Sequence, residues 1–271
     1  MPDDVEPQKA KPASAVVRAV EGLGQSIING VNELGALASL GGNVARSAFR
    51  RPFRFQIIFS QLDFVGVGSI FIVVLTGLFT GMVFAQQSMR AFELFDAESL
   101  VGPTVALVVT RELAPVFSGL MVTMRAVSAM CTELGTMRVT EQVDALETMA
   151  VNPVQYLLLP RVVAGLLMLP LLAMLFDAAG LGGAYIVAVL LKGISAGTFI
   201  ARTQQWLDPE DIFEGLTKAA VFGVTVTLIG SYKGFRASGG AKGVGQATTE
   251  AMVSSALAIF ILDYFLGILF H

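Results

Sequence analysis

The run Phe64–Ala85 contains no charged side chain and is long enough to cross a bilayer as a helix. Four more apolar runs follow: about Pro103–Met130, Val162–Leu191, about Ile212–Tyr232, and Ala251–Phe270. Five such runs leave little choice of fold class. The chain reads as an all-α integral membrane protein with five transmembrane helices. Composition agrees, since 54% of its 271 residues are hydrophobic and 14% are charged, against about 25% charged in a soluble domain. The first run also holds Gly77-Leu-Phe-Thr-Gly81, a spacing that lets two helices approach closely. The third is longer than a straight span needs, and Pro170, Asp177 and three glycines near 180 predict a kink or an extension beyond the bilayer.

Three segments divide the chain. Residues 1–14 are acidic and proline-containing, lack an apolar core, and read as a disordered cytoplasmic tail rather than a signal peptide. Residues 15–54 carry Val16, Val20, Leu23, Ile27, Val31 and Leu34 at helical spacing among polar residues, with glycines that weaken a single rigid helix. They read as an interfacial amphipathic helix, or broken helix pair, followed by Arg46, Arg50, Arg51 and Arg54, which suit anionic headgroups. The membrane domain occupies 55–271.

Basic residues set the orientation. The arginines before the first span, and Lys233, Arg236 and Lys242 after the fourth, belong on the cytoplasmic side. The segment between spans two and three then lies in the cytoplasm with them. The acidic loop Met89–Gly102 and His271 fall outside, which places the N-terminus in the cytoplasm and the C-terminus in the periplasm.

Charges within spans are costly, about 2.5–3.5 kcal/mol each on insertion scales, and mark function or internal pairing. Four places carry them: Arg111-Glu112, followed by Pro115, in span two; Asp177 in span three; Lys218, four residues after Glu214, in span four; and Asp263 in span five. Glu214 and Lys218 have the favourable order for an ion pair along one helix. Arg111 and Glu112 project about 100° apart and cannot satisfy each other, so at least one faces another span or a cavity. An apolar cavity with Arg and Lys in its lining would suit an amphiphile with an anionic head. Arg125, nearer the cytoplasmic end of span two, reads as an interface anchor.

The polar island Glu133–Arg161, ELGTMRVTEQVDALETMAVNPVQYLLLPR, separates two of these spans. Its centre predicts a short amphipathic helix capped by Thr140, with Glu141 and Asp144 in the first turn. Val143, Leu146 and Ala150 share one face; Glu141, Asp144, Glu147 and Thr148 point away. Asn152-Pro153 is expected to stop it. Such an acidic helix is a handle for another protein.

Several chemistries find no support. Net charge is −3, so there is no basic footprint for nucleic acid. A single cysteine, Cys131, forbids an internal disulfide, and with one histidine, His271, a His/Cys metal site is not expected. No G-x-x-x-x-G-K-[ST] loop occurs. The glycine-rich run 239–245 lacks that spacing and reads as a mobile loop. No cofactor is expected in this chain, it is not expected to be an enzyme, and energy for active transport would have to arrive from another subunit.

The island resembles the signature of the MlaE (YrbE) family of ABC-transporter permeases. Thr110-Arg-Glu-Leu-Ala-Pro-Val116, Lys218-Ala-Ala-Val-Phe-Gly-Val-Thr-Val226, Gly243-Val-Gly-Gln-Ala-Thr-Thr249 and Ser255-Ala-Leu-Ala-Ile-Phe-Ile-Leu-Asp263 resemble further family segments. The resemblance runs from about Phe53 to the end and makes 55–271 an MlaE-type permease domain. It implies a homodimer in the bacterial inner membrane, and a cytoplasmic ATPase that binds ATP and grips the island as a coupling helix through Arg138, Glu141, Asp144 and Glu147. It further implies a periplasmic MCE-domain protein, in some systems a STAS-domain protein, and phospholipid as cargo moved between inner and outer membranes. Arg111, Glu112, Lys218 and Asp263 align with polar membrane positions linked to transport. Two rival readings remain at the level of sequence. One is an ion-coupled secondary transporter relaying charge through Arg111, Glu112 and Asp263, for which five spans make an inverted repeat awkward. The other is a non-transporting membrane scaffold.

Overall fold

The computed structural model describes residues 15–48 and 54–270. The expected tail 1–14, Arg50, Arg51 and His271 lie outside those residues. Eight helices are described: α1 (Ala15–Ser47), α2 (Phe55–Glu93), α3 (Glu98–Val139), α4 (Gln142–Thr148), α5 (Val154–Leu191), α6 (Ala196–Trp206), α7 (Pro209–Phe235) and α8 (Gly240–Phe270). Five of them, α2, α3, α5, α7 and α8, are long and apolar enough to cross a membrane. They contain the five expected runs and extend each at one or both ends.

Two compact units make up the chain, 1–42 and 43–271. The described residues of the first, 15–42, all lie in α1, which is one continuous helix despite Gly24, Gly30, Gly35 and the pair 41–42, so no broken pair forms. It exposes Ile28, Val31 and Leu34.

In the second unit α5 is central, packing most extensively on α2 and α7. Glycine makes these contacts possible. Gly81 of α2 meets Gly180 of α5 backbone to backbone, and Gly165 of α5 meets Gly223 of α7 in the same way. Gly77 lies against Phe176, so the Gly77–Gly81 pair does face another helix.

Successive spans reverse direction. At one end the α3 helix carrying the island meets the α7–α8 turn: Gly135 touches Ala237 and Val244, and Thr132 Oγ1 lies 2.9 Å from Thr248 Oγ1. At the other end Lys192 Nζ donates to Glu93 Oε1 at 3.0 Å, and Phe199 of α6 covers Gly102.

Two local expectations are corrected. The run 239–245 is not a mobile loop. Gly239 and Gly240 take φ of 85° and 70° to reverse the chain, and α8 begins at once, with Val244 buried. Burial of Val244 outweighs the weak helix propensity of the glycines. Arg125 is not an interface anchor. α2 is broken at Val67–Ser69, a tight turn beside Gly66 and Gly68. Arg125 Nη1 donates to the Phe64 carbonyl at that break and to Ser69 Oγ at 3.3 Å, and its guanidinium lies 5.1 Å from the Phe64 ring centre.

Candidate functional site

Two π-type stretches interrupt α3, Val109–Leu113 and Thr123–Val127. Such bulges recur at functional sites because the extra residue re-aims the side chains around it. The first carries Arg111 and Glu112. Pro115, one turn on, has no N–H to return to the Arg111 carbonyl. Lys218 Nζ of α7 donates to that carbonyl at 3.2 Å. Gly215, one turn back on α7, is pressed against the Thr110 carbonyl, so α7 and α3 approach closely where the charges lie.

Arg111 and Glu112 turn to different partners on α7. Arg111 reaches Glu214 Oε2 at 2.7 Å through Nη2 and at 2.8 Å through Nε, and lies 3.2 Å from Asp211 Oδ1. Glu112 Oε1 accepts from Lys218 Nζ at 2.8 Å. Lys218 also meets Glu214 Oε1 at 3.2 Å, the expected pair along one helix, and Asp263 Oδ1 of α8 at 3.9 Å. All four expected pathway residues therefore enter one network, joined by Asp211 and Glu214. Lys218 is fully buried, while the Arg111 and Glu112 side chains are 31% and 43% exposed. The two cations, Arg111 and Lys218, face four carboxylates: Glu112, Asp211, Glu214 and Asp263. The expected Glu214–Lys218 pair forms, and Arg111 and Glu112 both face another span, as the 100° between them requires of at least one.

Asp211 was not singled out from sequence. Asp208-Pro209-Glu210-Asp211 falls where a loop before span four is expected, but it starts α7: Asp211 Oδ2 accepts from the Asp208 N–H at 2.9 Å in a capping box. The cap conceals its second contact, to Arg111. Asp177 stays outside the network, beside the Thr110 hydroxyl, with Oδ1 lacking a hydrogen-bond partner.

Two spaces flank the bulge. A cavity of about 580 Å³ is lined by Arg111, Asp211, Glu214, Phe213 and Phe270. A shallow apolar groove of about 450 Å³ lies between α2 and α3, against Phe79, Val83, Phe84, Leu113 and Phe117. Charged and apolar surfaces thus lie within one turn of each other on α3.

The island occupies the other end of the bundle. Helix α4 spans Gln142–Thr148. Val143 is buried and Leu146 half-buried, whereas Glu141, Asp144, Glu147 and Thr148 are exposed. Ala150 departs from the expected face: it is exposed and beyond the helix, with φ of 57°. Thr140 does not cap α4. Its hydroxyl bonds back to the Thr136 carbonyl at 2.8 Å, and Glu141 enters α4 through a left-handed backbone, φ 59°. Asn152-Pro153 opens α5 rather than closing α4, since Asn152 Oδ1 accepts from the Val154 N–H at 2.9 Å. Arg138 pairs with Asp144. Glu133 and Arg161, the island's outer residues, pair at 2.7 Å.

Comparison with known proteins matches residues 58–269 to the family described as Permease MlaE. The chain is 40% identical over 248 residues to a probable ABC transporter permease protein of Rickettsia bellii, covering 92% of this chain and 96% of the relative. It is 43% identical over 207 residues to one of Synechocystis, covering 76% and 79%. It is 35% identical over 254 residues to the intermembrane phospholipid transport system permease protein MlaE of Haemophilus influenzae, covering 93% and 97%.

Proposed function

The chain belongs to the MlaE permease family, and from that membership we propose that it is the membrane subunit of an ABC transporter that moves phospholipid between the inner and outer membranes. A separate cytoplasmic ATPase binds the ATP, and the permease carries no cofactor. It works as a homodimer in the bacterial inner membrane, N-terminus inside and C-terminus outside. A periplasmic MCE-domain protein and, in some assemblies, a STAS-domain protein complete the complex. Helix α1 lies in the membrane interface, with Ile28, Val31 and Leu34 toward the acyl chains.

One observation carries the reading. The helix α4 holds its carboxylates in solvent at one end of the bundle, and the charged network sits toward the other. Helix α4 joins α3 to α5, and α3 carries Arg111 and Glu112. At that far end the lipid head lies against the network and its acyl chains along the groove of Phe79, Val83 and Phe117. Arg111, Glu112, Lys218 and Asp263 are the pathway residues; Arg138, Glu141, Asp144 and Glu147 meet the ATPase.

Co-purification tests the contact. We expect the tagged chain, gently solubilised, to bring down an ATPase. Reversing Glu141, Asp144 and Glu147 to Lys together is expected to weaken that capture by about tenfold or more, on the scale of exposed charge pairs lost at an interface, with membrane insertion unchanged. Equal capture by the triple variant contradicts the assignment of α4.

A further inference from the structure

We propose that Glu133 and Arg161 form a clasp that couples α4 to both flanking spans, and that transport per ATP depends on it. The proposal rests on the permease reading above.

The clasp closes the island at its base. Glu133 Oε2 on α3 and Arg161 Nη2 on α5 meet at 2.7 Å across 28 residues of chain. Between them, α4 hangs on two non-glycine left-handed residues, Glu141 and Ala150, with φ of 59° and 57°. Both are points where the chain turns without helical continuity, so α4 alone is a poor lever on either span. A bridge below both turns makes the ends of α3 and α5 move together.

Arg161 is built as more than a surface partner. It is 3% exposed, and Nη1 donates to the Leu157 carbonyl at 2.6 Å. Its Nε has no hydrogen-bond partner. Its ion-pair partner Glu133 is 55% exposed, so the bridge joins a buried guanidinium to a carboxylate at the solvent edge of the bundle, and apolar residues at the Arg161 position would often serve stability as well or better. Next to Glu133, Thr132 meets Thr248 of α8, and Lys233 of α7 meets Glu250 of α8 at 3.3 Å. The clasp therefore adds α5 to a row of polar ties that already joins α3, α8 and α7 at this end. The same three helices supply Arg111 and Glu112, Asp263, and Lys218 to the network.

The test uses the whole transporter, with its ATPase, in phospholipid vesicles. ATP hydrolysis and movement of a fluorescently labelled phospholipid are measured together. Glu133→Gln is expected to assemble and hydrolyse ATP as wild type does, and to move about fivefold less lipid per ATP, the low end of ordinary coupling between sites. Exchanging the charges, Glu133→Arg with Arg161→Glu, is expected to restore transport that Arg161→Glu loses. Wild-type transport per ATP in Glu133→Gln overturns the proposal. So does a parallel fall in complex yield, hydrolysis and transport, which marks a purely structural pair, and so does an exchange no better than Arg161→Glu. Absence of ATP-driven movement in wild type refutes the permease reading instead, so the two failures are distinguishable.

Discussion

The Lys218 ammonium has no contact with solvent, and carboxylates from Glu112, Glu214 and Asp263 surround it. Arg111 completes the arrangement by holding Glu214 from the other side. Removing a single partner from a buried ionic cluster leaves charge uncompensated, at a cost of roughly 3–5 kcal/mol. Lys218→Met is therefore expected to lower the melting temperature of the purified protein markedly, and Lys218→Met with Glu214→Gln to regain part of it. A single variant as stable as wild type would contradict the pairing. Much of this cluster was legible in the sequence. Ionisable residues are rare enough in apolar runs that each stood out, and the spacing of Glu214 and Lys218 is itself a pairing signal. Partnerships across helices were not legible, because they depend on which faces meet. Arg111 and Glu112 therefore read only as facing some other span or a cavity, and Asp211 as part of the loop before span four. Arg125 looked like an anchor for the same reason: its partner is a carbonyl freed by a break in another helix.

At the scale of elements, glycine decides which helices meet and how closely. Gly81 sits against the Gly180 backbone, while nothing lies within 4 Å of a Cβ placed on Gly182. Gly81→Val forces α2 and α5 apart. It is expected to cost at least about 1–3 kcal/mol, the usual penalty of an overpacked contact, read as a loss of monodisperse protein in size-exclusion chromatography. Gly182→Ala, also within α5, is expected to leave the yield unchanged or to improve it. Equal yields of both variants would contradict the packing. Element identity was easier to read than element boundaries. The existence of α4 and its buried Val143 followed from periodicity. Its cap did not, because the Thr140 hydroxyl satisfies its own helix behind it and Glu141 takes the turn. Asn-Pro marked a boundary correctly and its direction wrongly: the same pair that cannot continue one helix begins the next.

Across the whole molecule, five spans carry one exposed acidic helix at one end and a charged network toward the other. Length and apolarity fixed the spans because a bilayer imposes a thickness. No comparable rule tells a sequence which spans touch, and the central place of α5 emerges only from the packing. The cargo is the part carried least by this chain's own residues, although the charged network beside the apolar groove gives an amphiphile both kinds of surface. The central claim is that ATP hydrolysis in a partner moves lipid through this chain by way of Arg111, Glu112, Lys218 and Asp263. Its most direct test is phospholipid transfer by the reconstituted transporter, with and without ATP, in wild type and in Glu112→Lys. Transfer that requires ATP, and is lost in Glu112→Lys while assembly and ATP hydrolysis persist, is the predicted result. Transfer that ignores ATP and follows an ion gradient, or that proceeds at the wild-type rate in Glu112→Lys, would contradict it.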